Sequence, residues 1–361
     1  MKISSDNLRV RYNHQIIDRI KMIYFTGDIN LTDWLFNAGF GIGTNIAKGL
    51  DPFQDIERKE GDMWIGNFEG VASEITERKG IHAIAFRVNP DILQKLHHMD
   101  MYGFANNHAM EHGPDAYDRT VKALESYGSK VFGLKDRRSL VFYHKGCKCS
   151  ISGMCLRVEA TEHTPLYWYN PEFKEIEAEI ESLPSDAYKI LFVHWGNEYV
   201  NRPSSQQKKF AHWLIDAGFD LIIGMHPHVL QGYEDYNGGR IYYSIGNFVF
   251  DMASEPCKTG AVVGLDFNEG QPVLSGSFIR IDDKCCPHFV TETEVPRQYR
   301  FDYLNEMLLI EDNSEEYHHE VDRGYRTYRK ANHRYILKNI VKHPKFGIEV
   351  VSDFIRRRVL N

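Results

Sequence analysis

The sequence predicts an α/β protein in which two sheets pack face to face with helices outside. Three observations carry this. Short apolar runs of strand length recur along the chain and end in polar clusters: "KMIYFTGD", "DMWIGNFEG", "MYGFANNH", "KILFVHWGNE", "DLIIGMHPH" and "IYYSIGNFVF". Helical segments separate several of them, as expected of layered α/β folds. From about 241 to 293 the helical patterns stop and strand-like runs follow one another: "GAVVGLDF", "SGSFIRID" and "HFVTETEV".

The helices are expected at 90–99, 113–128, 171–183 and 204–218. The second starts with Pro114 and ends at Gly128, proline being preorganised for a first turn and glycine for a helix end. "HKGCKCSISG" reads as a hairpin, so Cys147 and Cys149 are not a zinc site. Beyond 300 the pattern changes. Residues 311–322 are acidic, whereas Arg323 to Asn361 hold eleven Lys or Arg against two Asp or Glu. "KFGIEVVSDFIRRRVL" reads as a short amphipathic helix. The tail is expected either to pack on the domain or to touch an anionic membrane face or acidic partner. We divide the chain into an arm at 1–21, a main domain at 22–300 and a helical extension at 301–361.

The chain has 361 residues, 42% hydrophobic and 26% charged, with a formal net charge of −7. The acidic balance speaks against a nucleic-acid partner, and no apolar run reaches the ~18 residues of a membrane span. The charged N-terminus lacks the apolar core of a signal peptide. Six scattered cysteines suit reduced thiols, so a cytoplasmic location is expected.

Ligands of α/β folds gather at the carboxyl ends of strands. The polar clusters fall there: Asp28, then Asn67 and Glu69, then Asn106, Asn107 and His108, then His194, and last His226 and His228. A lone histidine or a turn asparagine is ordinarily structural. Five such clusters after five strand-like runs form a ligand set. Carboxylate, amide oxygen and neutral imidazole together suit divalent manganese, iron or zinc. Two ions about 4 Å apart would activate a water nucleophile.

"TGDIN", "GNFEG", "ANNHAMEHG", "HWGNEY", "GMHPHVLQ" and "YSIGNFVFD" together resemble the CapA family of capsule and poly-γ-glutamate synthesis proteins, which is related to the calcineurin-like metallophosphoesterases. The resemblance implies a four-layer sandwich of two mixed β-sheets flanked by helices. It also implies a metal set of Asp28, Asn67, Glu69, Asn107, His194, His226 and His228, with His108 as the acid that protonates a leaving group. Asn30 stands where the wider pattern has histidine, which costs the first metal a donor. Glu69 is taken as the acidic bridge, and Glu111 stands where aspartate usually follows the motif histidine. Glu198 is expected to orient His194 or face substrate. Asn247, in the "YS-x-GNF" stretch, reads as part of a turn behind the site.

Three functions fit: a phosphoester hydrolase in capsule or exopolysaccharide synthesis, amide transfer or hydrolysis on a γ-glutamyl-type polymer, and a non-catalytic assembly subunit. The partners implied are a small-molecule or polymer-precursor substrate and capsule-synthesis proteins, with peripheral membrane contact through the basic tail. The chain holds no G-x-x-x-x-G-K-[ST] loop and no G-x-S-x-G elbow.

Overall fold

The apolar runs become strands that stop where their polar clusters begin. The structure is a computed structural model that describes residues 20–32, 40–74, 86–157, 163–310, 314–344, 347, 348 and 352. Most of the arm at 1–21 and of the expected helix at 345–360 lies outside the described residues. The chain runs through β1 (Met22–Ile29), α1 (Ile42–Ala47), β2 (Asp62–Phe68), the small strands β3 (Val71–Ala72) and β4 (Arg87–Val88), and β5 (Met101–Gly103). It continues with α2 (Pro114–Ser126), β6 (Lys130–Phe132), the hairpin β7 (Ser139–His144) and β8 (Cys147–Cys155), α3 (Phe173–Ser182), β9 (Tyr188–His194), α4 (Ser205–Ala217) and β10 (Leu221–Met225). Strands β11 (Tyr233–Tyr236), β12 (Gly239–Tyr242), β13 (Asn247–Val249), β14 (Thr259–Asn268), β15 (Gln271–Ile281) and β16 (Pro287–Val290) follow. Helices α5 (Phe301–Met307) and α6 (Ser314–Lys342) come last.

Two mixed sheets result. The first has the order β16-β15-β14-β1-β2-β5-β6, with β13 also paired to β1. The second has the order β11-β12-β10-β9-β8-β7. Alternation along the strands explains the layers, because successive side chains point to opposite faces. Ile23 and Phe25 of β1, Ile65 of β2, Ile190 and Phe192 of β9 and Ile223 of β10 meet between the sheets. The intervening Leu191, Val193 and Ile222 face outward onto Ile176, Leu214 and Ile215 of α3 and α4. Trp64 of β2 faces the other way, onto the cluster that includes Tyr117 and Leu124 of α2. Each such fully buried side chain contributes about 1.5–3 kcal/mol. The chain is thus a four-layer sandwich of two mixed sheets flanked by helices.

Local chemistry sets the boundaries. The Ser204 hydroxyl accepts the Gln207 N–H at 3.1 Å and starts α4, and Gly218, at φ 123°, ends it. Two expectations need correction. The segment at 90–99 is a 3-10 turn series, Pro90–His98, not an α-helix. "IYYSIGNFVF" is not one strand: Gly246, at φ 71°, turns the chain between β12, in the second sheet, and β13, in the first. In the tail, the acidic segment from Ser314 onward is the start of α6, a 29-residue helix that packs on the domain.

Candidate metal centre

The five clusters meet at the carboxyl ends of the two sheets. Asp28 of β1 and Asn67 of β2 are register partners, and Glu69 follows β2 directly. His194 ends β9 opposite Met225 of β10, so the next residue, His226, lies beside it. Asn106, Asn107 and His108 follow β5. The glycine of "TGD" is required: a Cβ on Gly27 would lie 1.8 Å from the Gly246 carbonyl oxygen, where β13 crosses close to β1.

Asp28, Glu69 and His194 form one group, and Glu69, His226 and His228 a second. Within each, one donor atom per residue lies within 4.8 Å of the others, and all of these side chains are buried. Glu69 belongs to both. His194 Nε2 lies 2.9 Å from Asn107 Oδ1 and 3.1 Å from His226 Nδ1. Asp28 Oδ2 accepts the His226 backbone N–H at 3.1 Å. His228 Nε2 is 3.7 Å from Glu69 Oε1 and 4.0 Å from Glu198 Oε1. Among the described residues neither Glu69 oxygen nor His226 Nε2 has a hydrogen-bond partner. Leaving a buried polar atom unpaired costs about 1–3 kcal/mol, and more for a charge.

Burial raises the Glu69 pKa well above its ordinary value, and the charges of Asp28, Glu198 and Glu111 raise it further. Burial also raises Asp28, against the opposing pull of His228 and of the Asn67 and His226 hydrogen bonds. His194 and His226 are pushed well down, mainly by burial, so both rings are neutral and able to ligate. Strain gathers at the same place. His226 (φ 94°), His228 (φ 58°), Tyr199 (φ 64°) and Phe86 (φ 54°) all occupy the left-handed region, at about 1–3 kcal/mol each. Pro227 sits between the two strained histidines, and its carbonyl accepts the Tyr199 N–H at 2.9 Å.

The remaining expected residues take distinct places. Asn67 turns its amide nitrogen to Asp28 Oδ1 (2.7 Å), while its oxygen faces Asn106 Nδ2 (3.5 Å). Asn30 is not in the ligand groups: it donates to the Glu69 carbonyl at 2.5 Å and accepts the Thr32 N–H at 2.7 Å, holding the turn that presents Glu69. His108 Nδ1 lies 2.8 Å from Glu111 Oε1, its Nε2 lies 3.7 Å from Glu69 Oε1, and its ring stacks on Phe86 at 3.5 Å. Asn247 Oδ1 is 2.9 Å from His228 Nδ1, so that turn also orients a ligand-type ring. Glu198 does not orient His194. Its Oε1 approaches His228, and its Oε2 accepts the Tyr325 hydroxyl of α6 at 2.6 Å.

Several residues at the site carried no local signal. Helix α6 forms a wall along the cluster. Tyr328 stacks on Tyr199 at 4.0 Å, Gly324 lies so close that a Cβ would be 2.3 Å from the Tyr199 carbonyl oxygen, and Tyr335 donates to Asp251 at 3.2 Å. Arg157 follows β8, whose Cys155 pairs with His194. Its positive charge helps to lower His194 and His226, and it forms no ion pair among the described residues.

A buried carboxylate–imidazole cluster thus sits at the strand ends of a four-layer α/β sandwich. Residues 22–252 match the model of the bacterial capsule synthesis protein PGA_cap, and the chain belongs to that family. It is 32% identical over 264 residues to the PGA biosynthesis protein CapA of Bacillus subtilis, covering 68% of this chain and 67% of that one. It is 33% identical over 172 residues to the capsule biosynthesis protein CapA of Bacillus anthracis, covering 44% of this chain and 42% of that one. Among solved structures, a phosphatase from Mycoplasma pneumoniae aligns over 74% of this chain and 95% of its own. The TM-score is 0.46 and the identity 15%, too loose a likeness to bear on activity. Among the described residues no helix is long and apolar enough to cross a membrane.

Proposed function

We propose that this protein is a metal-dependent hydrolase of phosphoester type that serves capsule-polymer synthesis. One observation carries the reading: Glu69 is fully buried among acidic neighbours and histidines, and neither of its oxygens meets a donor among the described residues. A cation is the partner that such a group lacks, and the unpaired His226 Nε2 fits the same partner. Asp28, Glu69 and His194 would hold one divalent ion and Glu69, His226 and His228 a second, with Asn107 adding an amide oxygen. Manganese, iron or zinc suits this mixture. When bound, such ions supply Lewis acidity and bring the pKa of water toward neutrality.

The chain's own residues do the rest. The Glu111 carboxylate faces Nδ1 of His108 at 2.8 Å, so an imidazolium there would hold one proton against Glu111 and give the other, on Nε2, to a leaving oxygen. Arg157 offers an unpaired positive charge to an anionic substrate. Asn67 steadies Asp28 through its amide nitrogen. Glu198, held by Tyr325, faces the substrate side of His228. We assign 22–300 to the catalytic unit and 301–361 to the extension that walls it. A cytoplasmic location is in keeping with six cysteines that form no disulfide among the described residues.

The test is metal analysis of the purified protein with turnover on a panel of phosphomonoesters and phosphodiesters. We expect bound metal, phosphate-bond cleavage and loss of both on chelation. A metal-loaded protein inert on the whole panel overturns the reading. The names of the relatives favour a second one, amide transfer or hydrolysis on a γ-glutamyl-type polymer at the same cluster. Release of amine without phosphate would select it. Complementation of a capsule defect by a His108→Ala, His226→Ala variant would instead select a non-catalytic assembly role.

A further inference from the structure

Phe86 stands in none of the motifs of the ligand set, yet its ring covers one face of His108. The ring centres are 3.5 Å apart and the planes meet at 8°, so the stack is nearly face-on. The other contacts of His108 lie at its edge and its backbone. Glu111 Oε1 is 2.8 Å from Nδ1, Asn107 Nδ2 is 3.3 Å from Nε2, and Asn106 Oδ1 accepts the His108 backbone N–H at 3.2 Å. Edge contacts leave the ring plane loosely defined, because the last torsion of a histidine side chain has a broad minimum and a glutamate can follow the ring as it turns. A flat side chain against the face removes that freedom. Tilting the imidazole would drive its edge into Phe86, which already stands at van der Waals separation.

The fold holds Phe86 from two directions. Its carbonyl accepts the Val71 N–H at 2.8 Å, just past Glu69. Gly70 makes room for that approach, since a Cβ there would lie 3.1 Å from the Phe86 carbonyl oxygen. The Phe86 ring also meets Phe250 edge to face at 5.9 Å, and Phe250 meets His228 in the same way at 4.9 Å. The residue is thus clamped between the turn that presents Glu69 and the ring beside His228. It keeps this place at φ 54°, in the left-handed region, and strain that a fold sustains in this way marks a position the site uses.

We propose that Phe86 is the positioning residue for His108: its ring fixes the imidazole plane so that Nε2, 3.7 Å from Glu69 Oε1, stays aimed into the cluster. Phe86 belongs to neither ligand group and acts only through His108. The role deepens the hydrolase reading and rests on it for what receives the proton, not for the stack. It predicts a dependence on the leaving group. A para-nitrophenolate departs without a proton, whereas a more basic phenolate gains from one at departure.

The experiment uses the full chain with para-nitrophenyl and phenyl esters of phosphate and of methyl phosphate. Phe86→Leu should lower kcat about a hundredfold on the phenyl ester, as a misplaced catalytic group does, and no more than about threefold on the para-nitrophenyl ester. KM and metal content should hold. Phe86→Leu combined with His108→Ala should be no slower than His108→Ala alone, because a ring that acts through His108 then has nothing to hold. Phe86→Tyr keeps a flat ring and should restore most of the rate. A second readout needs no turnover. In protein labelled with carbon-13 at histidine Cε1, the Phe86 ring current moves the His108 proton signal upfield, and Phe86→Leu should abolish that shift; His108→Gln identifies the signal. If far-UV circular dichroism shows that Phe86→Leu does not fold, Phe86→Gly, which suits the left-handed backbone, carries the test with the same expectation. Equal losses on both esters, additive losses in the double variant, a fall in metal content or an unmoved His108 signal would overturn the role. A protein that cleaves no ester, yet shows the upfield signal and its loss, would sink the hydrolase reading and leave Phe86 standing as the residue that positions His108.

Discussion

The floor and the wall of the site are built by different rules. The floor is Asp28, Glu69, His194, His226 and His228, delivered by strand ends of the family-matching segment and buried with several polar atoms unpaired. The wall is α6, where Tyr325 and Tyr335 have partners and Tyr328 is stacked. Natural folds rarely leave buried carboxylates unsatisfied, so the floor reads as a place that keeps its valences for something that binds. A wall of aromatic rings and hydroxyls, each already engaged, instead shapes access. The contrast assigns chemistry to the floor and positioning to the wall, and substitutions can break that division.

Glu69→Gln should have the largest effect. The carboxylate joins both ligand groups, so its loss should remove metal retention and lower kcat/KM by on the order of a thousandfold, several kcal/mol. Plasma emission for metal content and steady-state kinetics measure the two losses. An unchanged metal content would break the contrast outright. His108→Ala comes next: a fall in kcat of about 10²–10⁴ is expected with metal content intact, since this ring faces the cluster without joining either ligand group.

A pH experiment sharpens the contrast further. In metal-free protein the fold prefers protonated Asp28 and Glu69, because burial raises both. Their contribution is complete below the ordinary carboxyl values of 3.8 and 4.5 and is lost as pH climbs through the raised ones. His194 and His226 run the other way: their contribution is present above 6.5 and fades as pH falls through the lowered values. The Tm of the chelated protein should therefore gain from Glu69→Gln increasingly as pH rises above the ordinary value of 4.5, and added metal should cancel the gain. Parallel Tm curves for the two proteins would argue that Glu69 is not the strained group. The smallest effect is expected at the wall. Tyr325→Phe removes one hydrogen bond to a carboxylate, worth about 1.5–3 kcal/mol where fully desolvated. Tyr325 is only half-buried, so we expect a change of up to about tenfold in kcat/KM, a displaced pH–rate profile and no loss of metal.

Much of the floor was legible because each of its residues sits at the end of an apolar run, and the alternation of Ile23, Phe25, Ile65 and Ile190 announces which runs are strands. The sandwich followed from the same pattern. Other features depend on packing between distant segments. Nothing near Glu198 in sequence announces Tyr325, which arrives from 127 residues away. Arg157 sits in "CLRVE" with no motif around it, and only the pairing of β8 with β9 brings it to the cluster. Asn67 shows a third limit: its place was readable, but which amide atom faces Asp28 is set by a hydrogen-bond network. The break in "IYYSIGNFVF" is a fourth, since Gly246 turns there only because β13 must cross to the first sheet.

The placement of α6 has a consequence for biogenesis. A polypeptide leaves the ribosome amino end first, and its earlier segments begin to fold before the last are made. The groups of the floor, from Asp28 to His228, are all synthesised well before Tyr325 and Tyr335. An interval therefore exists in which the nascent sandwich presents an open basin, and any metal the floor takes up could enter before the final helix roofs it.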